Sequence, residues 1–180
     1  GRVDLVFDRS RAALVALKQL EVGRRQPDSL KREFRALRDL AHRNLVTMLE
    51  LLIDPPLECI LLEPVEGVDL LRYVGIETAA TLSATRTAGS WVANAFAPAS
   101  PSPLAGRADL ARLVAAATQI VDALEHLASH GWVHGDLKND NVLVAHDGRV
   151  VLLDFGIARL SGTTLVKPVG TLQCMAPEQL

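Results

Sequence analysis

The densest run of side chains able to do chemistry is His134-Gly135-Asp136-Leu137-Lys138-Asn139-Asp140-Asn141, and Asp154-Phe155-Gly156 follows it. Between them lie two apolar runs, Val142 to Val144 and Val150 to Leu153, around His146-Asp147-Gly148-Arg149. An Asp-Gly turn between apolar runs predicts a β-hairpin. A hairpin returns the chain to its starting end, so Asp136, Asn141 and Asp154 are expected to converge and to set three oxygen ligands in one cleft. Two more candidates stand far upstream: Lys18, which closes the run Val15-Ala16-Leu17, and Glu33. Taken singly these features are bland. Lys18 reads as a surface charge at a strand end, His134 as a core histidine, and Asp154-Phe155-Gly156 as a turn.

The elements that must position these groups follow from the hydrophobic period. Val3 to Phe7 and Leu14 to Leu17, separated by Asp8-Arg9-Ser10-Arg11, read as two strands joined by a turn. From Asp28 the period changes: Leu30, Phe34, Leu37 and Ala41 predict an amphipathic helix that starts near Pro27 and Asp28. Glu33 shares their inward face, and a carboxylate there needs a partner. Met48 to Ile53 and Glu58 to Leu62 flank Asp54-Pro55-Pro56 and predict a second antiparallel pair. After a short helical stretch from Asp69 to Val74 the composition shifts. Ten of the thirty-three residues 76–108 are Ala, with Ser, Thr and three Pro, which reads as a largely unstructured insertion or linker. A short helix around Trp91 to Phe96 is the alternative there. Asp109 then suits the N-cap of a long helix in which Leu110, Leu113, Val114, Ala117, Ile120, Val121, Leu124 and Leu127 follow helical spacing and Gly131 marks the stop.

Composition narrows the function classes. The 180 residues carry 19 basic and 21 acidic side chains, a net charge of -2 that gives no electrostatic case for gripping a nucleic-acid backbone. Cys59 and Cys174 lie far apart without a CxxC or Cys/His spacing, which excludes a disulfide framework and a structural zinc site and suits a reducing compartment. No apolar run approaches the roughly 18 residues of a membrane span, and the N-terminus lacks a signal-like pattern. The chain therefore reads as soluble and cytoplasmic.

Taken together and in order, Val15-Ala16-Leu17-Lys18, Glu33, His134-Gly135-Asp136 with Lys138 and Asn141, Asp154-Phe155-Gly156, and Ala176-Pro177-Glu178 resemble the signature set of the eukaryotic-type protein kinase superfamily. Lys138, two residues after Asp136, resembles the serine/threonine branch. His-Gly-Asp and the run from Gly170 to Gln179 are similar to bacterial serine/threonine kinases.

The resemblance implies an α+β, bilobal fold: a small antiparallel β-sheet lobe with one helix over residues 1–64, then a hinge and a partial, mostly helical lobe over 65–180 that carries the insertion. It also implies ATP and Mg²⁺ as cofactors and a protein substrate with a Ser or Thr acceptor. Lys18 would hold the α- and β-phosphates, with Glu33 as its ion-pair partner. Asn141 and Asp154 would coordinate Mg²⁺, Asp136 would orient the acceptor hydroxyl or take its proton, Lys138 would contact the transferred group, and Thr171 would hydrogen-bond beside them. Val3, Ala16 and Leu143 would sandwich adenine. Leu62 would be the gatekeeper, Glu63 to Val65 the hinge, and Asp69 a neighbour of the ribose. Leu37, Met48, His134 and Phe155 match the apolar stack that links the lobes.

Three departures shape the expectations. Gly1-Arg2-Val3 resembles only the end of the glycine-rich loop, so the first strand and most of that loop are expected to be missing. The chain stops at Leu180, which leaves Glu178 without its usual arginine and points to a fragment of a longer protein. Gly135 replaces the arginine that many kinases pair with an activation-segment phosphate, so Ser161, Thr163 and Thr164 are expected to be dispensable. Two alternatives stay open: a small-molecule phosphotransferase of the aminoglycoside-kinase type, and a pseudokinase or scaffold.

Overall fold

The computed structural model describes residues 2–20, 27–54, 57–76, 108–154, 159–160, 162, 171 and 174–175. Strands β1 (Val3–Asp8) and β2 (Ala13–Gln19) pair antiparallel, with Val3 opposite Lys18 and Leu5 opposite Ala16. Their connection is organised by Asp8, whose Oδ1 accepts from the Ser10 backbone and hydroxyl at 2.8 and 2.7 Å. Those bonds and the Arg11 guanidinium hold its carboxyl well below the usual range. Helix α1 (Pro27–Arg38) follows, then β3 (Met48–Asp54) and β4 (Leu57–Leu62). The sheet order is β1-β2-β4-β3, with Ala16 opposite Leu62. Cross-strand partners share a face. Val3, Ala16, Lys18 and Leu62 therefore line one side of the sheet.

The remaining elements are β5 (Gly67–Asp69), α2 (Leu70–Tyr73), α3 (Leu110–Ser129), β6 (Trp132–Val133), a 3-10 turn (Asn139–Asn141), β7 (Val142–Ala145), β8 (Val150–Leu152) and β9 (Arg159–Leu160). The N-cap read at Asp109 forms, its side chain accepting from Arg112 N at 3.1 Å, and Asp69 caps α2 in the same way, accepting from Arg72 N at 3.0 Å. Gly131 takes a left-handed φ of +77° just past α3, where a side chain would strain the backbone. The β7–β8 hairpin forms on the expected turn, with Asp147 Oδ1 accepting from Arg149 N at 2.9 Å. The strands carry the valine- and leucine-rich runs Val142 to Val144 and Val150 to Leu152, all buried.

Two expectations about faces fail. Helix α1 ends at Arg38, so Ala41 lies beyond it and is exposed; Leu45 and Val46, both 5% exposed, fill the core there. In α3 the core-facing stripe is Ala116, Ala123 and Leu127, with Ile120 and Leu124 partly buried, whereas Leu110, Leu113, Val114, Ala117 and Val121 are exposed. The helix has two apolar stripes, and its period alone does not say which one meets the hairpin. Alanine does, because its small side chain lets the helix axis approach the β8 strand closely. The insertion at 76–108 and the Trp91 to Phe96 helix lie outside the described residues, apart from Ile76 and Ala108 at its ends. The residues that flank it meet: Asp109 N donates to Val74 O at 2.7 Å. No helix among the described residues is long and apolar enough to cross a membrane.

Candidate active site

Asp136 is the hub of the site. Its Oδ1 accepts the Thr171 backbone N–H at 3.1 Å and the Thr171 hydroxyl at 2.9 Å. Its Oδ2 faces Lys138 Nζ at 2.9 Å and accepts from Asn141 Nδ2 at 3.1 Å. Lys138 Nζ also donates to Thr171 Oγ1 at 3.0 Å, which closes a ring of three side chains. Burial pushes the Asp136 carboxyl up, but the bonds from Lys138, Thr171 and Asn141 outweigh it and hold the group below its ordinary value. For Lys138 the balance has the same form: burial lowers its pKa, and Asp136, with Asp140 and Asp154 behind it, raises it further than that. Both groups are charged at neutral pH, and each keeps the other so.

The hairpin brings the second cluster to the first. Asn141 is 6% exposed, and its amide nitrogen also donates to the Asp136 carbonyl at 2.8 Å. Its own backbone carbonyl accepts from Leu153 N at 2.9 Å, one residue before Asp154. His134, 3% exposed, completes the junction: Nε2 donates to Leu153 O at 2.9 Å and Nδ1 accepts from Asp136 N at 3.3 Å. That arrangement needs the neutral ring, and burial keeps the His134 pKa down. The bland reading of His134 as a core histidine is therefore half right: it is buried, and it also pins the Asp136 and Asp154 segments together.

Asp154 has φ +61°, a left-handed conformation that only a few residue types adopt without large cost, Asp among them. Its carboxylate forms an ion pair with Lys18 Nζ across 136 positions of sequence. This pair joins β2 of the sheet to the end of the hairpin. Glu33 lies on the half-buried side of α1, between Leu30 and Phe34, and accepts from Ser29 Oγ at 3.2 Å. Gly135 has φ +80°, which costs glycine nothing and would strain a side-chain-bearing residue.

The apolar residues expected around a base meet in one core cluster: Ala16, Leu62, Val65 and Leu143 belong to it, and Val3 packs against it. Glu63, the exposed first residue of the expected hinge, donates its backbone N–H to Thr47 O at 3.0 Å. Asp69 sits opposite Leu143 in the β5–β7 pair, and its side chain caps α2. Leu37 and Met48 also belong to or pack on the core cluster, with Met48 7% exposed. Phe155, Gly156 and Ala176-Pro177-Glu178 lie outside the described residues, as do Ser161, Thr163 and Thr164.

Sequence reasoning missed a polar clamp that ties the α1–β3 loop to the hairpin and to α3. Asn44, 1% exposed, donates to Gln119 Oε1 at 2.9 Å and to Val150 O at 2.6 Å. Gln119 in turn accepts from Val150 N at 3.0 Å and donates to Gly148 O at 3.0 Å. The backbone repeats the link: Leu152 N donates to Asn44 O at 2.8 Å and Val46 N to Leu152 O at 3.0 Å. One signal was available, a glutamine one residue before Ile120 on the stripe that α3 buries. Asn44 gave none.

The site thus holds a part-buried ring of carboxylate, lysine and threonine beside an Asn on the 3-10 turn, and an Asp–Lys pair that bridges sheet and hairpin. The protein kinase domain family matches residues 1–180, and the chain belongs to it. Among curated relatives, "Serine/threonine-protein kinase Pkn1" of Myxococcus xanthus is 31% identical over 156 residues, 82% of this chain and 18% of that protein. "Probable serine/threonine-protein kinase PknB" of Lactococcus lactis is 29% identical over 174 residues, 92% of this chain and 23% of that protein. A "cAMP-dependent protein kinase, catalytic subunit-like" protein of Caenorhabditis elegans is 29% identical over 184 residues, covering 100% of this chain and 39% of that protein. The chain thus spans well under half the length of these relatives.

Proposed function

We propose that the protein transfers the γ-phosphoryl group of ATP to serine or threonine hydroxyls of protein substrates. The single observation that carries this reading is the Asp136–Lys138–Thr171 ring with Asn141 donating into it. Such a ring fixes one carboxylate rotamer, and in-line phosphoryl transfer depends mainly on position and charge. Because its donors hold Asp136 below its ordinary pKa, it is a weak base. Its chief task is then to orient the acceptor hydroxyl, and it takes the proton late. Lys138, bonded to the same carboxylate, would place its charge against the transferred group.

Asn141 and Asp154 fit Mg²⁺. They offer an amide oxygen and a carboxylate, hard donors that leave the other positions to water and phosphate. The Asn141 amide nitrogen is committed to Asp136, so Oδ1 is the atom it can give a cation. When bound, Mg²⁺ would neutralise charge on the triphosphate. Lys18 would then exchange Asp154 for the α- and β-phosphates, with Glu33 as its second carboxylate. Val3, Ala16, Leu62 and Leu143 would enclose adenine, Glu63 to Val65 would present the hinge backbone, and Asp69 would lie near the ribose. The substrate is a protein carrying Ser or Thr.

The test is transfer of labelled γ-phosphate from ATP to a generic protein substrate by the intact protein, with and without Mg²⁺, beside Asp154→Asn. Transfer that needs Mg²⁺ and falls by about 10²-fold or more in the variant is expected. Wild-type rates in Asp154→Asn, or transfer to small hydroxyl compounds and never to protein, would overturn the reading.

A further inference from the structure

The α1–β3 loop and the C-terminal half of α3 meet in a file of three imidazoles. His42 stacks on His126 with ring centroids 4.8 Å apart and planes at 27°, and His130 tilts against His126 at 4.6 Å. The phosphoryl-transfer chemistry above uses none of them. Their nitrogens are committed differently. His42 Nδ1 accepts the Asn44 backbone N–H at 3.2 Å, so its neutral ring carries the proton on Nε2, which faces Asp122 Oδ2 at 3.5 Å. His130 Nδ1 donates to the His126 carbonyl at 2.8 Å. His126 Nε2 is buried and has no hydrogen-bond partner among the described residues. The charged and titratable groups facing His126 are His42 from the loop, and His130 and Asp122 from α3. One carboxylate thus stands beside three imidazoles. Among the described residues no group of three or more His, Cys, Asp or Glu is arranged to hold a metal ion.

We propose that the His42–His126–His130 file is an acid-sensitive latch: protonation releases the α1–β3 loop from α3 and, through Asn44, loosens the strand end that carries Asp154. The chemistry is local. A proton on His42 turns Nδ1 from acceptor into donor, and the Asn44 N–H then points at another N–H. Asn44 is the residue that holds Val150 by its side chain and Leu152 by its carbonyl, and Leu153 and Asp154 come next. Charge on both His42 and His126 sets two like charges in stacked rings beside Asp122.

The direction of the pH effect follows. Burial first, then His130 and His42, hold His126 below its ordinary value of 6.5, and Asp122 opposes them. The latched state therefore binds fewer protons than the released one below that value. The latch holds above about pH 6.5 and is lost as pH falls, by up to about tenfold per pH unit for each proton taken up.

The experiment follows two readouts on the intact protein from about pH 8 to pH 5: the unfolding transition of the domain that carries this chain, and the phosphoryl-transfer rate. Wild type, His126→Gln and Asp122→Asn are compared. Wild type is expected to lose both on the acid side, His126→Gln to flatten the loss, and Asp122→Asn to move it to higher pH because the counter-charge is gone. Identical pH profiles in all three, or an acid loss moved to lower pH in Asp122→Asn, would overturn the proposal. Should His126→Gln fail to fold, Asp122→Asn still decides by the direction of its shift, since the Asp122 side chain is 63% exposed. The unfolding readout needs no transferase activity, so it stands apart from the function proposed above.

Discussion

Replacing Asn44 by Ala removes two hydrogen bonds from a nearly dry site, the 2.6 Å bond to Val150 O and the 2.9 Å bond to Gln119 Oε1. At about 1 kcal/mol for each bond, with a further penalty for buried acceptors left short of a donor, the expected loss is about 2–3 kcal/mol. For a domain of this size each kcal/mol moves the melting temperature by about 2–4 °C, so a fall of about 5–10 °C is expected. Gln119→Leu removes three bonds, one of them shared with Asn44. The double variant should therefore fall short of the sum of the singles by about 0.5–2 kcal/mol. The assay is calorimetric unfolding of wild type, both singles and the double at one pH. Two outcomes refute the reasoning: a loss below about 0.5 kcal/mol in Asn44→Ala, or strict additivity to within about 0.3 kcal/mol. Either would mean that the α1–β3 loop is held by its backbone and apolar contacts, and that the amide clamp adds nothing.

The other predictions concern chemistry. Lys18→Met keeps an apolar stem of similar length and removes the charge that faces Asp154; transfer is expected to fall by about 10²-fold or more while adenine-nucleotide affinity falls far less, as read by steady-state rates beside a binding titration. Equal losses in the two would place Lys18 in base binding and not in phosphate binding. Ser161, Thr163 and Thr164 changed together to Ala should leave transfer within a fewfold of wild type, since Gly135 supplies no guanidinium for a phosphate there; loss of activity in that triple variant would require another cationic partner.

The sequence by itself determined several local devices. Asp109 announces its helix because a side-chain oxygen before an apolar period meets backbone N–H groups a few residues away. The Asp147-Gly148 turn announces the β7–β8 hairpin, and the hairpin in turn announces that Asp136 and Asn141 meet the segment of Asp154. All of these act over a few residues of chain, so composition and spacing carry them. The motif set also pointed to the family that residues 1–180 match.

Tertiary structure decided what depends on which surface lies opposite. Helix α3 has two apolar stripes, and only contact with β8 selects Ala116, Ala123 and Leu127 over Leu110, Val114 and Val121. Lys18 is one charge at a strand end until the fold sets it against Asp154. The Asn44–Gln119 clamp and the file of His42, His126 and His130 join segments that no sequence period connects. Hydrogen bonds and ion pairs of this kind are decided by distances of a few ångströms between remote segments. A linear pattern holds no record of such distances, because they exist only once the core has closed.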